Sequence, residues 1–264
     1  MSQVEAIILA IIEGITEFLP VSSTGHMVIF SSFFKLEAEP FTKLYEVIIQ
    51  FGAILAVVFL YWKRLISKKP ISFYINLTIA VTPILIAGLL FSDYIKNALE
   101  NPLFISIVLL MGGIVLLFVD NWFKQSTIET DDQITARNAF WIGMYQVLAI
   151  VFPGLSRSAA TIIGGMQQKL NRSLAAEFSF FLAIPTMTAA TAKSLLDIIK
   201  EQPQLLNEGG KKMLLMGTAI AFVVALIAIK GFIGYVKLKG FKVFGYYRII
   251  LGVSLLTLIA LGRL

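Results

Sequence analysis

The chain has 264 residues, of which 58% are hydrophobic and 14% charged, and its mean hydropathy is +0.84. Ordinary globular domains are about 45–50% apolar and about 25% charged, so a soluble fold is excluded, and continuous apolar runs of roughly 20 residues exclude the alternating strands of a membrane barrel. The 22 Lys and Arg exceed the 16 Asp and Glu to give a formal charge of +6; these basic residues gather between apolar runs, a pattern that orients a membrane protein rather than one that binds nucleic acid. Cys is absent, which removes disulfides, thiolate metal sites and a thiol nucleophile.

In chain order, apolar runs cover 4–19, a short 27–34, and long stretches at 44–62, 71–91 and 103–119. The first run carries Glu13 and Glu17 and has no basic region before it, so it is not expected to be a removable signal. A polar stretch, 120–138, follows, and the pattern then recurs with short runs at 139–152 and 159–168 and long ones at 174–196, 213–236 and 244–262. Each short pair flanks a polar turn, Pro20-Val-Ser-Ser-Thr-Gly-His26 in one half and Pro153-Gly-Leu-Ser-Arg-Ser158 in the other. A helix needs roughly 20 residues to cross the hydrocarbon core, so the short pairs are expected to enter and return as re-entrant helical hairpins. The predicted fold is therefore an all-α polytopic membrane protein. It has six transmembrane helices plus two re-entrant hairpins, in one domain with pseudo-repeat halves at about 1–122 and 137–264.

Aligning Pro20 with Pro153 sets Glu13 opposite Gln146 and Ser23 opposite Ser156. An odd number of spans per half requires inverted topology, with broken segments meeting near the midplane. Lys63, Arg64, Lys68 and Lys69, together with Lys237, Lys239 and Lys242, belong in the cytoplasm by the positive-inside rule. The first hairpin, both termini and the connections 92–102 and 197–212 then fall outside, and 120–138 and the second hairpin inside. Gly112 and Gly113 are expected to allow close helix packing.

Ionisable groups at membrane depth are costly and face a cavity or a partner. Glu13 and Glu17 lie one helical turn apart on one face, where two carboxylates repel unless they share a proton or a cation; a divalent ion, Mg²⁺ or Ca²⁺, would suit these hard oxygen ligands. His26, the sole histidine, follows across a hydroxyl-rich turn and is a candidate for proton transfer. In the second turn Gly154, the hydroxyls of Ser156, Ser158 and Thr161, and the fork of Arg157 form a candidate oxyanion site at a helix N-terminus. Glu46 and Glu177, near the starts of spans, read as paired scaffold carboxylates.

The run Glu13-Gly-Ile-Thr-Glu17-Phe-Leu-Pro-Val-Ser-Ser-Thr-Gly-His26, with Pro153-Gly-Leu-Ser-Arg-Ser-Ala-Ala-Thr161, resembles the undecaprenyl-diphosphate phosphatase family, the bacitracin-resistance proteins. The resemblance spans nearly the whole chain. It implies a bacterial inner-membrane enzyme that removes the terminal phosphate of a C55 polyprenyl diphosphate, regenerating the carrier for cell-wall synthesis, with dependence on a divalent metal. The expected partners are that lipid substrate and membrane lipids, with a homodimer left open and nucleic acid excluded. Ser23 is then expected to attack the terminal phosphorus, with His26 or Glu17 taking the proton and Arg157 stabilising the equatorial oxygens, while direct attack by water stays open. Thr24, Ser156 and Thr161 would hold phosphate or brace the turns. The rival reading is a polyprenyl-phosphate transporter or flippase, since inverted repeats with broken helices also serve transport. The pocket is expected to open to the outer face.

Overall fold

A computed structural model describes residues 1–36, 39–66, 70–91, 94, 98 and 101–262; Lys68 and Lys69 and much of the 92–102 connection lie outside the described residues. The helices are α1 (Gln3–Thr16), α2 (Ser23–Phe33), α3 (Pro40–Ile66), α4 (Ile71–Leu90), α5 (Pro102–Trp122), α6 (Ala136–Val151), α7 (Arg157–Gln167), α8 (Arg172–Glu201), α9 (Glu208–Lys239) and α10 (Lys242–Ala260). Local chemistry sets their ends. Ser2 and Glu5 form a capping box on α1, with Ser2 N–H 2.6 Å from Glu5 Oε2. Asn101, Asn171 and Asn207 cap α5, α8 and α9 through their side-chain oxygens.

The helices α3, α4, α5, α8, α9 and α10 are long and apolar enough to cross a membrane. The other four have 14, 11, 16 and 11 residues, and at 1.5 Å per residue none reaches across a core of about 30 Å. The chain is thus the all-α, multi-pass protein that its apolar runs predict. Trp62, Trp122 and Trp141, each about half exposed, sit at the same end of the bundle, where an aromatic belt meets headgroups.

The helices pack reciprocally: α1 lies on α9 and α6 on α4, while α3 meets α8 and α5 meets α10. Each short leading helix therefore rests on a long span of the other half. The α5–α10 contact is close because Gly113 and Gly245 carry no side chains; a Cβ on either would stand 2.9 or 2.8 Å from the carbonyl oxygen of the other. Gly112 does something else, clearing space for the Arg248 guanidinium.

Ion pairs knit the end that holds the tryptophans. Arg64 binds Asp131 (2.8 Å) and Glu177, bearing out the scaffold reading of Glu177. Asp120 accepts from Arg172 Nε and from the Phe241 amide, both at 2.7 Å. Gly240 ends α9 at φ +72°, and a Cβ there would stand 2.7 Å from the Asp120 Cγ. We expect Gly240→Ala to cost about 1–3 kcal/mol through forced left-handed backbone, and Asp120→Ala about 1–3 kcal/mol by leaving the buried Phe241 amide without its acceptor. Thermal unfolding in mild detergent measures both, and a parental midpoint for Gly240→Ala would mean that Asp120 does not sit where the structure has it.

Candidate active site

Both polar turns end in the same unusual cap. Ser22 and Ser156 take φ of +71° and +73°, rare for residues with a side chain, and their hydroxyls accept from the amides of Gly25 and Ala159, each at 3.3 Å. Backbone of this kind costs about 1–3 kcal/mol per residue and concentrates at functional sites. The caps pair Ser22 with Ser156, one position away from the proline alignment, and so make Ser23 and Arg157 the first residues of α2 and α7. Ser23, Thr24, His26, Arg157 and Ser158 accordingly lie on the first helical turns, ahead of where the apolar runs begin. The amide ends of two helices thus converge on one place, favouring an anion there.

A cavity of about 340 Å³ occupies that place, lined by Glu17, Ser23, Thr24, Ser156 and Arg157, with Gln50 entering from α3. Glu17, the C-cap of α1, is the hub. Its Oε2 accepts from the Ser23 hydroxyl at 2.6 Å and its Oε1 from Arg157 Nη2 at 2.8 Å. Arg157 also donates to the Ser179 carbonyl at 3.3 Å, which leaves part of its fork unspent. Pro83 and Pro185 each interrupt a helical ladder next to the lining residues Ile84 and Met187.

The remaining predicted residues divide between wall and brace. Ser156 and Gly154 line the cavity. Gly154 has φ +97° and is pressed so closely on α5 that a Cβ would stand 2.7 Å from the Ile105 carbonyl oxygen. Ser158 and Thr161 do not line it. The Ser158 hydroxyl donates to the Leu19 carbonyl at 2.9 Å, tying the second turn to the first, and Thr161 bonds the Arg157 carbonyl at 2.9 Å and the Ser179 hydroxyl at 2.6 Å. Glu46 accepts from Ser31 at 2.8 Å, a paired carboxylate as expected.

His26 also stands apart from the cavity. A carbonyl only accepts, so the Nδ1 facing the Ser22 carbonyl at 2.7 Å carries the hydrogen, and Nε2 accepts from the Tyr247 hydroxyl at 2.6 Å. The two rings stack at 5.6 Å. His26 thus pins the strained Ser22 backbone, and its ring nitrogens bond neither Ser23 nor Glu17.

Glu13 lies one turn before Glu17, 0% exposed, and neither of its carboxyl oxygens has a hydrogen-bond partner. Gln146, which the proline alignment sets opposite Glu13, is equally buried and unpartnered. No three Asp, Glu, His or Cys converge among the described residues. A divalent ion would therefore need Glu13 and Glu17 completed by phosphate oxygens and water, a donor set of the kind Mg²⁺ takes.

Three site residues escaped the sequence reading: Gln50, Tyr247 and Arg248. Arg248 had a legible signal, a cation inside the last apolar run. Gln50 and Tyr247 had none, since either residue is common on a span.

Residues 6–254 match the family model for "Bacitracin resistance protein BacA". The chain belongs to that family. It is 52% identical to the undecaprenyl-diphosphatase of Flavobacterium johnsoniae, over 98% of this chain and 96% of the relative. It is 53% identical to that of Flavobacterium psychrophilum over 98% and 96%, and 48% identical to that of Bdellovibrio bacteriovorus over 100% and 98%.

If His26 braces Ser22, His26→Asn, which keeps a short side-chain N–H donor, should retain at least about a tenth of parental turnover. His26→Ala should fall well below it. The pH–rate profile of the Asn variant should keep the shape of the parent's, and loss of a limb near neutrality would make His26 a proton carrier instead.

Proposed function

We propose that this chain hydrolyses undecaprenyl diphosphate to the monophosphate and inorganic phosphate, recycling the lipid carrier for cell-wall synthesis. One observation carries the reading: a hydroxyl, a carboxylate and a guanidinium lie in one hydrogen-bonded line, Ser23–Glu17–Arg157, at the floor of a cavity between two helix N-termini. A nucleophile, its base and an anion clamp are what diphosphate cleavage requires and what simple binding does not. The cavity sits within the spanning helices, so a lipid tail can stay among apolar side chains while the headgroup reaches the polar turns.

Ser23 Oγ forms a bond to the terminal phosphorus as the bridging P–O bond breaks, and Glu17 Oε2 takes the hydroxyl proton over the existing 2.6 Å hydrogen bond. The lipid monophosphate leaves with the bridging oxygen. Glu17 passes its proton to the departing monophosphate; water then attacks the phosphoserine phosphorus while giving a proton to Glu17, which returns it to Ser23 Oγ as inorganic phosphate leaves. Arg157 meets the equatorial oxygens with its unspent N–H groups, and the α2 and α7 amides add positive potential. Glu17 suits this better than His26, whose ring nitrogens are both engaged elsewhere. Thr24 and Ser156 contribute hydroxyls to the same wall. Glu13 and Glu17 would hold a divalent ion, Mg²⁺ or Ca²⁺, which when bound neutralises phosphate charge.

The reciprocal packing of α1 on α9 and α6 on α4 supports an inverted repeat with two re-entrant hairpins. In the bacterial inner membrane, the basic ends of α3 and α9 face the cytoplasm and the cavity opens to the outer face. Whether two chains associate as a homodimer bears on none of these steps, since every group in them comes from one chain.

Purified protein in detergent should release phosphate from polyprenyl diphosphate, which transport across a sealed membrane would not require. Ser23→Ala should abolish turnover and Ser156→Ala only weaken it. Arg157→Lys should lose roughly 10²–10³ in kcat with a smaller change in KM, because an ammonium cannot reproduce the two-pronged donor. Parental kcat in the Lys variant would reduce Arg157 to a counter-charge for Glu17.

Orientation is testable because the chain has no Cys. An impermeant thiol reagent applied to spheroplasts should label the exposed position Gln204→Cys and spare the exposed position Gln125→Cys. The reverse pattern would invert the topology.

A further inference from the structure

Arg248 takes no part in the steps above, yet it is the largest fully buried side chain among the described residues, at 0% exposure. It meets no carboxylate among the described residues. Its guanidinium donates instead to four backbone carbonyls drawn from three stretches of chain. Nη1 reaches Leu155 O at 2.7 Å and Pro20 O at 3.3 Å, Nη2 reaches Gly154 O at 2.9 Å, and Nε reaches Leu109 O at 3.3 Å. Pro20 belongs to the turn after α1, and Gly154 and Leu155 to the turn after α6. Both turns leave the carbonyl ends of helices, so the cation is held by three turn carbonyls, one carbonyl of α5 and two negative dipole ends rather than by an ion pair.

Three of these carbonyls, those of Pro20, Gly154 and Leu155, lie one or two residues before the strained caps Ser22 and Ser156. Serine relaxes from φ near +70° unless its neighbours are held, and any relaxation swings the next residue, which is Ser23 in one turn and Arg157 in the other. We infer that Arg248 is a positioning residue of the catalytic site, one guanidinium that ties both turns together and so fixes Ser23 and Arg157 on opposite sides of Glu17. This rests on the phosphatase reading and adds to it a residue outside the two hairpins. The planar fork is required: four carbonyls in three directions exceed what the three donors of a single ammonium can span. Gly112 is the second half of the device, since a Cβ there would stand 2.9 Å from the Arg248 Cζ and push the fork away.

The test compares Arg248→Lys, Gly112→Ala and the double variant in mild detergent, with phosphate release normalised to folded protein. Gly112→Ala keeps the cation and changes only its seat, so it carries the test should the Lys variant fail to fold. The expected result is a loss of about 10–100-fold in kcat for each, with KM changed less than about threefold, and a double variant no worse than the weaker single. Amide exchange should rise about tenfold or more in peptides covering 17–26 and 152–160 while those from α3 keep parental protection. Parental kcat in both single variants, a fully additive double, or exchange that rises equally everywhere would overturn the inference. A parent that releases no phosphate would instead overturn the phosphatase reading, which separates the two failures.

Discussion

Arg157 and Glu17 are 140 residues apart in the chain and 2.8 Å apart in the fold. Neither tolerates membrane depth alone, because an unpaired charge in a low-dielectric core costs several kcal/mol, and removing one partner strands the other. The pair therefore holds the two halves of the molecule in register. The second oxygen of Glu17 takes the Ser23 hydroxyl. The charge pair and the Ser23 hydrogen bond share one carboxylate.

Around that pair, side chains brace strained backbone in layers. Ser22 and Ser156 put their helices into the cavity N-terminus first; His26 pins the first cap, Ser158 ties the second turn to the first, and Thr161 locks Arg157 from behind. Several polar residues near the motif thus hold its geometry from outside the cavity. Motif membership alone cannot separate these roles, since a serine that walls a cavity and one that bonds a carbonyl are the same letter two places apart.

Charge is distributed unequally between the two ends. At the tryptophan-bearing end Arg64, Asp131, Glu177, Asp120 and Arg172 close the bundle with short ion pairs. In the cavity, Glu17 and Arg157 leave donors and acceptors free. This division sets a closed, ion-paired end against a polar chamber within the apolar spans.

Much was settled by sequence alone. Apolar run length determined six spans, because the hydrocarbon core sets a minimum that no local context alters. The short pairs, the polar turns and the membrane-depth residues Glu13, Glu17, Ser23 and Arg157 were legible because polar groups there are conspicuous against an apolar background. The helix starts at Ser23 and Arg157 were not, since hydroxyl-rich turns suit a cap or a loop equally and only the left-handed Ser22 and Ser156 distinguish them. Tertiary structure alone decided that His26 faces Tyr247 rather than Ser23, that Thr161 and Ser158 brace while Ser156 lines the cavity, and that Arg248 reaches both turns at once. Each of these depends on where a side chain from a distant helix ends up. Hydrogen-bond partners 93 or 221 residues away are set by packing angle and helix approach, and no local pattern encodes them.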